Sequence, residues 1–104
     1  MGMHEQLVEI CEKIYKLHPN DPIISQYWDQ LTEILSRSED ETVAYFNDAN
    51  DKKMIYTVCS VFADVAYELQ SQRFIDCIED VQKRNPDLNL ERFIERAKDN
   101  MLGD

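Results

Sequence analysis

Two histidines, three cysteines and several closely spaced carboxylates are the residues of this chain with chemistry to offer. A metal site asks for several His, Cys or carboxylate ligands converging at workable spacing. His4 and His18 lie on different parts of the first predicted helix and its turn. There is no His-x3-His pair and no calcium loop of the Asp-x-Asp-x-Asp-Gly kind, so no metal is expected. Nucleophilic catalysis asks for Ser or Cys beside a His base. Cys59 and Cys77 fall in apolar helical runs and Cys11 at the margin of one, while both histidines sit near the N-terminus. The thiols therefore read as small buried hydrophobes. Acid–base work needs a desolvated carboxyl whose pKa moves toward neutrality. The groups Asp76, Glu79, Asp80 and Glu91, Glu95 are interleaved with Arg92, Arg96 and Lys98 on outer faces, which marks solvated surface. Asp64, on the most apolar helix, is the carboxyl best placed for burial. Neither an enzyme activity nor a cofactor is expected.

One local feature stands out. Glu39, Asp40 and Glu41 open a predicted third helix, and Glu41, Tyr45 and Asp48 share a face at i, i+4 and i+7. Val43 and Phe46 are expected to point the other way, into the core. Arg37 is the only base near these carboxylates before Lys52. Glu39, Asp40, Glu41, Tyr45, Asp48 and the following Asp51 thus form an expected partner-binding set, an exposed aromatic among uncompensated carboxylates. Part of this acidity has a simpler cause, since carboxylates favour a helix N-terminus.

Six helical segments must position these residues. The first spans about Met3–Leu17, with Leu7, Ile10, Ile14 and Leu17 on one face, and stops at His18-Pro19-Asn20-Asp21-Pro22. Asp21 is the expected cap of a second helix to about Leu35, with Pro22 in its first turn. Ser38 to Glu41 has capping-box form and starts the third, to about Ala49. Asp51 caps a fourth, about Lys52–Leu69, whose wide apolar stripe makes it the central element despite its β-branched residues. Ser71 caps a fifth, about Gln72–Arg84, and Asn89 a sixth, about Leu90–Leu102. Short connections make consecutive helices antiparallel, as an irregular bundle or a short α-solenoid of three helical hairpins. The first hairpin is similar to a tetratricopeptide repeat in its Pro19-Asn20-Asp21 turn, but lacks that motif's small Gly and Ala positions.

Composition sets the remaining bounds. The chain of 104 residues fits one domain, 1–104, and its 43% hydrophobic content is that of a folded protein. Its two glycines are Gly2 and Gly103, so tight hairpins and phosphate-cradling loops have no interior glycine to build on. Net charge is −10: three basic against ten acidic residues in the first fifty, eight against eleven in the rest. Such a surface repels phosphate backbones and anionic lipid and favours a basic partner, or serves solubility alone. No nucleic-acid or membrane binding is expected. An odd number of unpaired thiols and no signal-peptide or membrane-spanning pattern fit a cytoplasmic protein.

The chain as a whole, and above all the run Val61-Phe62-Ala63-Asp64-Val65-Ala66-Tyr67-Glu68-Leu69-Gln70-Ser71 continuing through Phe74-Ile75 to Pro86-Asp87-Leu88, resembles small acidic all-helical immunity proteins of bacterial toxin systems. The resemblance implies blockade of a basic toxin by a rigid acidic surface, with no chemistry required of the inhibitor. The alternative is a helical adaptor or structural domain that dimerises or holds a peptide in an apolar groove. Trp28, Tyr27 and Tyr67 would then be partly exposed. An apolar face left over after packing would produce a homodimer, which the sequence leaves open.

Overall fold

The computed structural model describes residues 2–18 and 20–102; Pro19, expected in the stop after the first helix, and Gly103 lie outside them. Seven α-helices follow one another: α1 (Met3–Tyr15), α2 (Ile24–Leu35), α3 (Glu39–Asp48), α4 (Lys52–Val58), α5 (Phe62–Leu69), α6 (Gln72–Arg84) and α7 (Glu91–Asp99). Single 3-10 turns occupy Cys59–Val61 and Pro86–Leu88, and there is no strand among the described residues. The protein is an all-α bundle.

Local chemistry sets several boundaries. The Ser38, Asp51 and Ser71 side chains each accept from backbone N–H groups of the turn they open, at Glu41, at Lys53 and Met54, and at Phe74. These are donors that a helix start otherwise leaves unpaired. Two expected caps behave differently. Asp21 Oδ1 accepts from the Ile23 N–H at 3.0 Å, closing a turn before the helix, so α2 starts at Ile24 rather than beside Pro22. Asn89 does not cap the last helix; it is left-handed, with φ 54°, and ends the 3-10 turn. Gln82 replaces it, its side-chain oxygen accepting from the Leu90 N–H at 2.6 Å.

The fourth predicted helix is also not continuous. It breaks at Cys59–Val61 into α4 and α5, where Val61 leaves helical geometry at φ −108° and ψ 8°. Neighbouring Thr57, Val58 and Val61 are β-branched and weaken the helix locally. The two halves also serve different neighbours, α4 packing on α1 and α5 on α2 and α7. With a single left-handed residue, Gln70 at φ 46°, the chain then turns into α6. Gln70 is tied down by its own side chain, which donates to the Tyr67 and Asn100 carbonyls and accepts from the Leu102 N–H.

The packing is that of a bundle rather than of stacked hairpins. α1 packs on α2 as expected, but the main partner of α3 is α6, and that of α5 is α7. At the centre Phe46, Phe62 and Phe74, all fully buried, meet edge to face with ring centroids 5.6, 6.0 and 6.1 Å apart. They join α3, α5 and α6 in the edge-to-face arrangement that aromatic quadrupoles favour. Truncating Phe46 to Ala should destabilise the protein by roughly 3–5 kcal/mol, read as a lower urea midpoint. Ser71→Ala should cost about 1 kcal/mol.

Candidate functional site

Helix α3 packs on α6 and on α1. Thr42, fully buried, donates its hydroxyl to the Leu35 carbonyl at 2.6 Å, and one turn later Phe46 enters the core. This i, i+4 pair fixes the rotation of the helix. Glu41, Ala44, Asn47 and Asp48 are left exposed, while Val43 and Tyr45 are half-buried at the two edges of the packed face. The expectation of an exposed Tyr45 is thereby corrected. Its ring lies edge-on to Phe46 at 5.0 Å and tilted against His4 at 5.9 Å. Burial, with Cys11, Asp51 and Tyr15 nearby, pushes the phenol above its ordinary pKa.

The six expected partner-binding residues divide into two groups. Glu39 and Asp40 are not uncompensated: Arg73 on α6 reaches them at 3.6 and 2.8 Å. The Ser71 hydroxyl also donates to Glu39. These two carboxylates tie α3 to α6. Arg37, expected as the nearest base, instead donates to Gln6 at 3.2 Å and approaches Glu33 at 3.9 Å.

Glu41, Tyr45, Asp48 and Asp51 form the second group. They line one cleft of about 480 Å³ with Met3 and His4 from the first turn of α1. Ala44 and Ala49 add apolar floor. Among the described residues no ion pair engages Glu41, Asp48 or Asp51. One oxygen of Asp51 caps α4. The two lysines next in the chain are drawn away: Lys52 binds Asp87 at 2.6 Å, and the Lys53 ammonium sits 4.0 Å from the centroid of the Tyr15 ring. The cleft carboxylates thus have no ion pair among the described residues, and the guanidinium placed at the end of α3, that of Arg84 on α6, is bound to the Phe46 and Ala49 carbonyls. His4 was no candidate for this surface in the sequence, because only the packing of α1 on α3 brings it there.

Elsewhere the reactive groups are quiet. Cys11, Cys59 and Cys77 are free and buried, and burial pushes their thiols up to about 11, about 12 and about 12. Raised values leave little thiolate to act as a nucleophile at neutral pH. Asp64 is exposed, so the desolvated carboxyl that acid–base work would need is not found there. His18 Nδ1 accepts from the Asn20 N–H, closing its own turn. Among the described residues no three His, Cys, Asp or Glu side chains converge as a metal-binding group, and no helix is long and apolar enough to cross a membrane. Tyr27 and Trp28 are half-buried against the core, and Tyr67 is 52% exposed. No protein-family model, curated protein or solved structure matches the chain.

The thiols set a pH dependence. Protonated when folded but ionising near 9.0 once unfolded, they contribute stability that is intact below pH 9 and lost as pH rises toward 11 and 12. The urea midpoint should therefore fall between pH 8 and pH 10. All three thiols should react slowly with a thiol reagent at pH 8 in the native protein and rapidly in denaturant.

Proposed function

We propose that this protein is a binding module that recognises a basic protein through the acidic face of α3 and the α3–α4 turn. In its most specific form it is an immunity- or antitoxin-type inhibitor that covers a basic toxin without chemistry of its own. The observation that carries the proposal is the cleft beside Tyr45, where Glu41, Asp48 and Asp51 have no cationic partner among the described residues. Carboxylates left unpaired on a rigid helix steer and orient a cationic partner, and the accessible part of the apolar surface beside them adds contact area. The resemblance to small acidic immunity proteins supports the toxin version, and so does the net charge of −10.

The adaptor reading draws on a different observation, the exposed Tyr56 and Tyr67, each 52% accessible. It expects a homodimer on sizing and no basic partner.

The double variant Glu41→Lys, Asp48→Lys separates the two. Both side chains are exposed, so the helical circular dichroism should be unchanged. Capture of a basic protein from host lysate at low salt should fall by at least about tenfold, and high salt should have the same effect on the native protein. Coexpression of the native protein with the captured toxin should rescue growth, and the double variant should not. Undiminished capture by the double variant would remove α3 from the interface.

A further inference from the structure

The cleft has a floor as well as a charge, and the two together narrow what fits. Its floor is apolar and aromatic: Met3, Ala44 and the half-buried ring of Tyr45, with His4 tilted beside it. Its rim is acidic, and the charge is uneven along α3. Glu41 and Asp48 are two turns apart, about 10 Å by helical rise, so one cationic head cannot serve both. Asp51 joins Asp48 at one end, so two carboxylates meet there, while Arg84 on α6 covers the Phe46 and Ala49 carbonyls of that helix end from behind.

We propose that the cleft receives an arginine side chain from the basic partner. The guanidinium lies at the Asp48–Asp51 end, and the methylene stem runs over Ala44 and Tyr45. This rests on the reading of the α3 face as the binding surface. An arginine matches both halves of the cleft. Its stem covers apolar and aromatic surface while its head stays polar, and the planar guanidinium forks onto a carboxylate. Lysine offers a compact ammonium with neither the plane nor the fork. A volume of about 480 Å³ leaves room for the backbone on either side of the inserted residue.

Two small probes and one variant test this. N-acetyl-arginine amide, titrated into the labelled protein, should shift the amide signals of Ala44, Tyr45, Asp48 and Asn50 saturably. The uncharged isostere N-acetyl-citrulline amide should do so at least about tenfold more weakly. Ala44→Trp fills the cleft from an exposed helix position and alters no charge, and should abolish the local response with circular dichroism unchanged. Arginine shifts spread evenly over all acidic faces, equal shifts with citrulline, or an unaltered response in Ala44→Trp would each overturn the proposal. Failure here is distinct from failure of the wider reading. If Ala44→Trp still captures the basic partner and Glu41→Lys, Asp48→Lys does not, the acidic face binds without the cleft. If the arginine probe seats in the cleft and no basic protein is captured, the cleft stands and the wider reading falls.

Discussion

The contact on which the rest of this structure depends is the triangle of Phe46, Phe62 and Phe74. Three rings from three helices, each fully buried, meet at edge-to-face distances of 5.6 to 6.1 Å. Each ring removes a large apolar area from water, and their mutual geometry adds a further preference for one arrangement. The break at Cys59–Val61 sits next to Phe62, so that α4 and α5 satisfy different neighbours around the triangle. Phe46, with Thr42 one turn earlier, fixes the rotation of α3. Once that rotation is set, Glu41, Ala44 and Asp48 face outward and Tyr45 is caught at the edge. The acidic cleft is thus a consequence of how the core closes.

Polar contacts finish what the rings begin, and several of them span long stretches of chain. Arg84 donates to the Phe46 and Ala49 carbonyls and so caps the end of α3 from α6. Gln82 opens α7, and Gln70 joins the ends of α5 and α7. A chain without interior glycine meets its two left-handed turns with Gln70 and Asn89. Asparagine tolerates that conformation readily; glutamine does so less well. At Gln70 the side-chain bonds to Tyr67, Asn100 and Leu102 supply the compensation. The surface charges are sorted by the same packing. Arg73 neutralises Glu39 and Asp40, Asp87 holds Lys52, and Tyr15 holds Lys53, so Glu41, Asp48 and Asp51 are among the carboxylates left without an ion pair among the described residues.

What was legible in the sequence was local. The caps Ser38, Asp51 and Ser71 act within one turn, and the span of α6 was readable to the residue from its cap and its Asn85-Pro86 stop. Apolar spacing located the core faces of α1, α5 and α6. What escaped is carried by contacts across the chain. Arg73 lies far in sequence from the carboxylates it pairs with, so Glu39 and Asp40 looked free. His4 reaches the cleft only through packing of α1 on α3. The break in the fourth predicted helix and the left-handed Asn89 depend on what surrounds them, which propensity does not encode. The i, i+4, i+7 spacing puts Tyr45 on one exposed face with Glu41 and Asp48, but spacing does not say how far a neighbouring helix covers a residue, and Tyr45 is half-buried.

The central claim is that partner recognition occurs on α3 and the α3–α4 turn. Amide hydrogen exchange on the complex with the captured basic protein addresses it most directly, since protection follows the buried backbone and its surroundings. New protection over residues 41–51 and over the first turn of α1 is the expected result. Protection confined to α4, α5 and α7 around Tyr56 and Tyr67, with α3 exchanging as in the free protein, would contradict it.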